Sequence, residues 1–314
     1  MSVSFGVPTG QDNTTWQELL SLWQELDRES GFDSLWLVDH FVPGMGAAMG
    51  ADGPHFEGWT ALAALAQATS RVRIGILVTG NTYRHPAVLA KQATTVDNIS
   101  NGRLEFGIGA AWHTYEHQAF GIPFHTMRQR FDRLEEAVQL IKLLWTKPRP
   151  TFNGRHYQLD QPPYNTPNVQ QPHPPILIGG SGEKRSLSIV ARHADACNIS
   201  GTPEEMRHKF RVLEQHCKDA GTDYSKIRRT AQIPLFLNDN PEFKKRVLQG
   251  ISVARGVSEE EAAGGILLGS IDEVKAQVER FIEAGLQEFM LAQWPRSHRD
   301  SLLRFSREVI PAFR

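Results

Sequence analysis

Eight short apolar runs, each followed by a stretch with helical spacing, constrain this chain more than any other feature. The runs are Ser4 to Val7, Ser34 to Val38, Val72 to Thr79, Arg103 to Ile108, Pro175 to Ile178, Ala194 to Ile199, Arg229 to Leu237 and Gln287 to Ala292. Several are continuously apolar, the pattern of parallel strands buried on both faces. Between them lie amphipathic stretches. Trp16, Leu19, Leu20, Trp23 and Leu26 share one face of a helix over 14–29, and Phe131, Leu134, Val138, Ile141 and Trp145 share another over 131–145. Pro86 opens a helix reaching Ile99, where its missing N–H costs nothing. Thr202 with Glu205 three residues on reads as a capping box for a helix to Ala220, and Ser270 caps one to Ala284. Further helices are expected over 59–69, up to His193, near 241–254 and 259–264, and over 298–312. The fold class is α/β, and an eight-fold (β/α)8 TIM barrel fits best. A doubly wound sheet is the alternative. One domain over 1–314 is expected, with insertions at about 41–57 and 146–175.

The barrel needs no staples. A chain of 314 residues can bury a sizeable core, and its 2 cysteines, Cys197 and Cys217, exclude a disulfide framework or a Cys-rich zinc site. The balance of 34 Lys+Arg against 35 Asp+Glu argues against a nucleic-acid binder. The first residues lack a charged, apolar leader and no apolar run is long enough for a span, so no membrane partner and a cytoplasmic location are expected.

A barrel places its active site at the C-terminal ends of the strands. That selects Asp39-His40, Leu77 to Asn81, Gly109 to Glu116, Gly179 to Gly182 and Asn198 to Gly201. An Asp beside a His can tune imidazole basicity, and His titrates near neutrality; the pair also reads as the polar start of a loop. The small residues Gly107, Gly109, Ala110 and Ala111 leave space for a flat ring or close backbone approach, with Trp112 as a wall of that space or a core aromatic. Gly179-Gly180-Ser181-Gly182 follows a strand and precedes a helix, so its N–H groups can cradle a phosphate; a plain βα turn is the other reading. Neither a Walker A loop nor G-x-G-x-x-G is present. His113 and His117 are four apart but lack the Glu of the metalloprotease motif, so no metal is expected. No G-x-S-x-G elbow occurs.

Taken in order, six segments resemble the luciferase-like monooxygenase superfamily. They are Gly31 to Trp36 with Asp39-His40, Tyr83 to Ala90, Asp97 to Arg103, Gly107 to Trp112 through Glu116-His117, Pro174 to Gly182, and Ala194-Asp195. The Asp39-His40 pair and the helix carrying Arg130 to Glu136 are similar to the branch that uses the deazaflavin coenzyme F-420. The resemblance implies an oxidoreductase that moves a hydride between coenzyme F-420 and a small organic substrate. His40 would handle the proton and Asp39 would lie by the ring's polar edge. Leu77, Val78, Ala110, Ala111, Trp112, Tyr157 and Asn198 would contact the ring or ribityl chain, and Gly179, Gly180, Ser181 and Gly182 the phosphate. A non-proline cis peptide is implied at Leu77-Val78. A homodimer is implied by analogy.

Two alternatives remain at this stage: an FMN-dependent monooxygenase, and a non-catalytic flavin-binding barrel. The sugar-phosphate dehydrogenases of the branch carry a Trp after Asp-His and a Glu in the fourth loop, where this chain aligns Gly44 and Trp112. That substrate is therefore not transferred. The apolar loop Val42 to Phe56 and the 146–175 insertion are expected to shape a pocket for a fairly hydrophobic substrate.

Overall fold

The computed structural model describes residues 3–43, 53–163, 166–292 and 299–314. In chain order the elements are β1 (Ser4–Pro8), α1 (Trp16–Glu29), β2 (Ser34–Leu37), α2 (Gly58–Ala68), β3 (Arg73–Ile76), β4 (Thr79–Gly80), α3 (Pro86–Ile99), β5 (Leu104–Gly109), α4 (Thr114–Ala119) and α5 (Met127–Thr146). There follow β6 (Phe152–Asn153), β7 (Gln158–Leu159), β8 (Ile176–Gly179), α6 (Ser186–His193), β9 (Ala196–Ile199), α7 (Pro203–Ala220) and β10 (Arg228–Leu237). The last are α8 (Pro241–Arg255), α9 (Glu259–Gly264), β11 (Leu267–Gly269), α10 (Ile271–Glu283), β12 (Glu288–Ala292) and α11 (Arg299–Glu308).

Eight parallel strands close on themselves in the order β1, β2, β3, β5, β8, β9, β10, β12. Glu288 closes the ring, facing Ser4 on β1 and Thr230 on β10. The (β/α)8 barrel expected from the eight runs is the fold, and the doubly wound sheet is excluded. The run over 72–79 divides: β3 ends at Ile76, a bend follows, and β4 resumes on β5. Thr15 with Glu18, Thr202 with Glu205 and Ser270 with Glu273 each form a reciprocal capping box, which fixes where three of the helices begin.

Alternation along the strands sorts side chains into two layers. Phe5, Leu35, Ile74, Phe106, Ile176 and Ile178 face the helices and form the main core with Trp23, Leu62 and Phe289. Trp36, Leu177, Ala196 and Met290 form a separate cluster inside the barrel. Gly75 makes room for it, since a methyl group there would stand 2.4 Å from the Trp36 ring. At the N-terminal end Arg228 bridges Glu105 and Glu288 at 2.6 and 2.8 Å, and Arg73 reaches Glu105 at 2.5 Å. This ionic floor lies at the N-terminal end of the barrel, opposite the mouth.

Insertions extend the barrel; contrary to expectation, no described residue of 146–175 lines the cavity at its mouth. The segment after β2 is described only in part, because residues 44–52 lie outside the described residues. The second insertion carries the β6–β7 hairpin. A third, not anticipated as a unit, follows β10: its outer end pairs with β11, and α8 rests Phe243, Val247 and Ile251 on Phe236, Ile266 and Leu268.

Candidate active site

The mouth holds a cavity of about 1180 Å³. Asp39 and His40 enter it after β2, Leu77 to Gly80 after β3, Gly109 to Trp112 after β5, Gly179 to Ser181 after β8, and Asn198 to Ser200 after β9. The rim positions that topology selected therefore converge. Phe131 on α5 and one face of α8 complete the wall.

The peptide between Leu77 and Val78 is cis. Val78 packs into a notch of three glycines. Methyl groups on Gly107, Gly109 and Gly179 would stand 3.1, 2.9 and 2.8 Å from its methyl carbons. These small residues thus accommodate the Val78 side chain rather than a ring directly. Ala111 has a left-handed φ of 60° at the rim, and Arg130, stacked over Phe124, donates to its carbonyl.

Nδ1 of His40 lies 2.9 Å from Oε2 of Glu116, at the start of α4. That carboxylate also accepts the Tyr83 hydroxyl at 2.5 Å and the backbone N–H groups of Phe41 and Val42 at 2.7 and 3.3 Å. Its side chain has no exposed surface. Burial pushes Glu116 up, but the bonds from His40, Tyr83 and Phe41 outweigh it and hold the carboxyl down at about 2. Glu116 is therefore an anion and an acceptor only. Nδ1 of His40 must carry the proton of this bond, which leaves Nε2 as the free basic nitrogen. Burial and the Glu116 charge push the Tyr83 phenol far up, so it stays a donor. The Trp112 and His113 rings stand 5.6 Å from His40.

Asp39 does not partner His40. Its two oxygens take a fork of hydrogen bonds from Arg84 at 2.6 and 2.9 Å, and one accepts the Gly80 N–H at 3.1 Å. Arg84 also pairs with Glu57 at the start of α2. Burial pushes the Asp39 carboxyl up to about 6 against the pull of Arg84, which leaves it ionised at neutral pH. Asp39 ties the end of β2 to the bend after β3, and tuning of the imidazole falls to Glu116 instead.

At the far side of the mouth the Gly179 loop meets the loop after β9. Ser200 N–H donates to Ser181 Oγ at 3.1 Å, and Gly180 N–H to the Asn198 carbonyl at 3.0 Å. Asn198 is held in turn by the hydrogen bond that its side-chain amide donates to the Thr230 hydroxyl at 2.9 Å. The helix behind the loop starts at Ser186, and Ser186 also lines the cavity.

The family model described as luciferase-like monooxygenase matches residues 1–302. The chain belongs to the luciferase-like monooxygenase family. Among curated relatives it is 30% identical over 310 residues to an F-420-dependent glucose-6-phosphate dehydrogenase of Kineococcus radiotolerans, covering 91% of this chain and 90% of that protein. Among solved structures it superposes on an F-420-dependent secondary alcohol dehydrogenase in complex with an F-420–acetone adduct, with TM-score 0.87, 22% identity and full coverage of both chains. The coenzyme F-420-dependent tetrahydromethanopterin reductase of Methanopyrus kandleri matches with TM-score 0.80 and 18% identity, again over both full chains.

Set in this luciferase-like barrel, the residues expected at the site divide. Asp39, His40, Leu77, Val78, Ala110, Ala111, Trp112, Gly179, Gly180, Ser181 and Asn198 line the cavity. Trp112 is 54% exposed, a wall of the mouth and not a core aromatic. Tyr157 is not at the cavity. It is buried beside β7 with Ala137, Leu140 and Leu159, and its hydroxyl accepts from the Asn81 amide at 3.5 Å. Gly182 also stands off the wall; its carbonyl accepts Leu187 N–H at the start of α6. Gly44 lies outside the described residues. A fourth-loop glutamate is present after all: Glu116, four residues beyond Trp112, reaches His40 because α4 turns the loop back. His113 caps α4 through Nδ1, and His117 binds Thr82 and the His113 carbonyl. No metal-binding cluster occurs among the described residues. Tyr83 and Arg84 lie in the segment Tyr83 to Ala90, whose sequence gives neither of them an individual role. The only signal for them was their place on the rim after the third strand.

Proposed function

We propose that this chain is a coenzyme F-420-dependent oxidoreductase acting on the hydroxyl group of an organic substrate, or on the corresponding carbonyl in reverse. One observation carries the reading. His40, its Nδ1 tied to an ionised carboxylate, stands in the wall of a large cavity whose opposite side is a Gly-rich loop. The named relatives support the choice of coenzyme.

The residues fit such a group. The cavity is larger than a single drug-sized ligand requires, so a ring-bearing coenzyme and a substrate fit together. The Gly180 N–H is spent on Asn198, but the Ser181 hydroxyl, which only accepts from Ser200, can still donate to a phosphate beside Ser186. Val78, Leu77 and Trp112 offer apolar surface to a flat ring. When bound, coenzyme F-420 supplies a two-electron hydride acceptor or donor.

The chain's own residues handle the rest. Oxidation of a hydroxyl releases one hydride from carbon and one proton from oxygen. Nε2 of His40 accepts that proton, and the imidazolium is stabilised by Glu116 at Nδ1. Tyr83 and two backbone N–H groups hold Glu116 in place, so His40 keeps one orientation and one tautomer through the cycle. Fluorescence titration of the purified chain with coenzyme F-420 and with FMN tests the reading. F-420 should bind and FMN should bind weakly or not at all. Tight FMN binding without F-420 binding overturns it.

A further inference from the structure

Helix α8 spans 15 residues, contains no buried residue, and still forms one wall of the cavity. Its apolar contact with the barrel is made by Phe243, Val247, Leu248 and Ile251, resting on the β10–β11 extension. The neighbouring stripe at the same i, i+4 spacing is Arg246, Gly250 and Ala254, with Arg255 next to it, and these four line the cavity. Two guanidinium groups thus flank a stretch without bulky side chains. Nine residues of helix set their backbones about 13 Å apart.

Neither arginine makes an ion pair or hydrogen bond among the described residues. Lys244, which does not line the cavity, is clamped by Glu273 at 2.6 Å. Of the helix's cations, Arg246 and Arg255 are the ones that line the cavity. Arg255 also has a defined neighbourhood. A methyl group on Gly265 would stand 3.7 Å from its Nη1 and 3.8 Å from the Gly201 carbonyl. The guanidinium and the loop after β9, which Ser200 ties to Ser181, thus both border Gly265. The acid beside Gly201, Glu205, is already engaged by the Thr202 N–H at 2.8 Å.

We propose that Arg246 and Arg255 form an anion subsite on the inner face of α8, taking phosphate or carboxylate groups that extend from the cavity. Arginine suits this work, since its fork donates to such oxygens in pairs. The anion has two possible sources: the acidic arm of the coenzyme, which rests on the F-420 reading above, or an acidic group of the substrate.

The test uses the full chain, a double variant Arg246→Gln/Arg255→Gln, and thermal melting as a control for folding. Coenzyme F-420 and its phosphate-free deazaflavin riboside are titrated by fluorescence, and inorganic pyrophosphate by calorimetry with and without saturating F-420. A loss of about tenfold in F-420 affinity, with riboside affinity unchanged, supports the subsite with the coenzyme as source. Unchanged F-420 affinity, with pyrophosphate binding to the F-420-saturated protein weakened about tenfold, supports it with the substrate as source. If F-420 does not bind the wild type, the coenzyme reading has failed and pyrophosphate binding to the free chain decides. Equal pyrophosphate and F-420 binding by wild type and variant overturns the proposal.

Discussion

Nδ1 of His40 and the carboxylate of Glu116 meet at 2.9 Å although 76 residues separate them. Two loops of the barrel mouth, one after β2 and one after β5, are joined by this bond. It gives the imidazole a fixed proton on one side and a free Nε2 on the other.

Glu116→Gln keeps the shape and removes the charge. The amide can no longer both fix the tautomer and stabilise the imidazolium. Turnover with coenzyme F-420 should fall on the order of 10²-fold, as for loss of a positioned acid–base group. Affinity for the coenzyme should stay nearly constant, because Glu116 does not line the cavity. Comparing kcat with the fluorescence Kd separates the two. A Kd that collapses while kcat holds would refute the positioning role.

The same residue governs acid stability. Glu116 titrates at about 2 in the fold against an ordinary value of 4.5. A depressed carboxyl contributes stability that is complete above the unfolded value and is lost as pH falls from there towards the folded one. Its worth is about 3 kcal/mol at most. The Tm gap between wild type and Glu116→Gln should therefore narrow from pH 6 to pH 3. A gap that stays constant across that range would show that the carboxylate is not held low.

The barrel was legible because its strands are buried on both faces and therefore appear as apolar runs, while capping pairs such as Thr202 with Glu205 mark helix starts directly. The rim was legible through topology, which selected His40, the bend after Ile76 and the Gly179 loop. The partners were not. Glu116 reaches His40, and Arg84 reaches Asp39, through loop paths that no spacing encodes. Sequence adjacency suggested the wrong pair, Asp39 with His40: beyond the end of β2 the two side chains turn to different partners, Arg84 and Glu116. Tyr157 was misplaced for a related reason: the β6–β7 hairpin folds it into the α5 side of the barrel, away from the mouth. Arg246 and Arg255 were invisible in a near-zero net charge, since a count does not reveal which cations lack a partner.

Arg84→Met should destabilise the chain by about 3–5 kcal/mol, because it strands the buried Asp39 carboxyl. The loss has a pH sign. Asp39 is already raised to about 6 by burial, and without Arg84 it rises further. A raised carboxyl costs nothing below the unfolded value of 3.8 and increasingly more as pH climbs through the folded value. The Tm deficit of the variant should be larger at pH 8 than at pH 5. Adding Asp39→Asn should recover part of the deficit at pH 8. A deficit that shrinks with rising pH contradicts this account.

Two glycines around Val78 should differ in their tolerance of alanine. At Gly179 the new methyl would stand 2.8 Å from a Val78 methyl, so a side chain must yield. At Gly107 it would stand 2.1 Å from the Ile76 carbonyl oxygen, so backbone must move. Gly179→Ala should cost about 1–3 kcal/mol, the usual range for overpacking, and Gly107→Ala more. Gly179→Ala should also weaken coenzyme F-420 binding, because displacing Val78 alters the cavity wall as well as the notch. Denaturant unfolding gives the stability order, and fluorescence titration of Gly179→Ala gives the second effect. If Gly107→Ala is the milder change, the backbone there moves more easily than the Val78 side chain, and Val78 rather than the Ile76 carbonyl is the rigid partner in the notch.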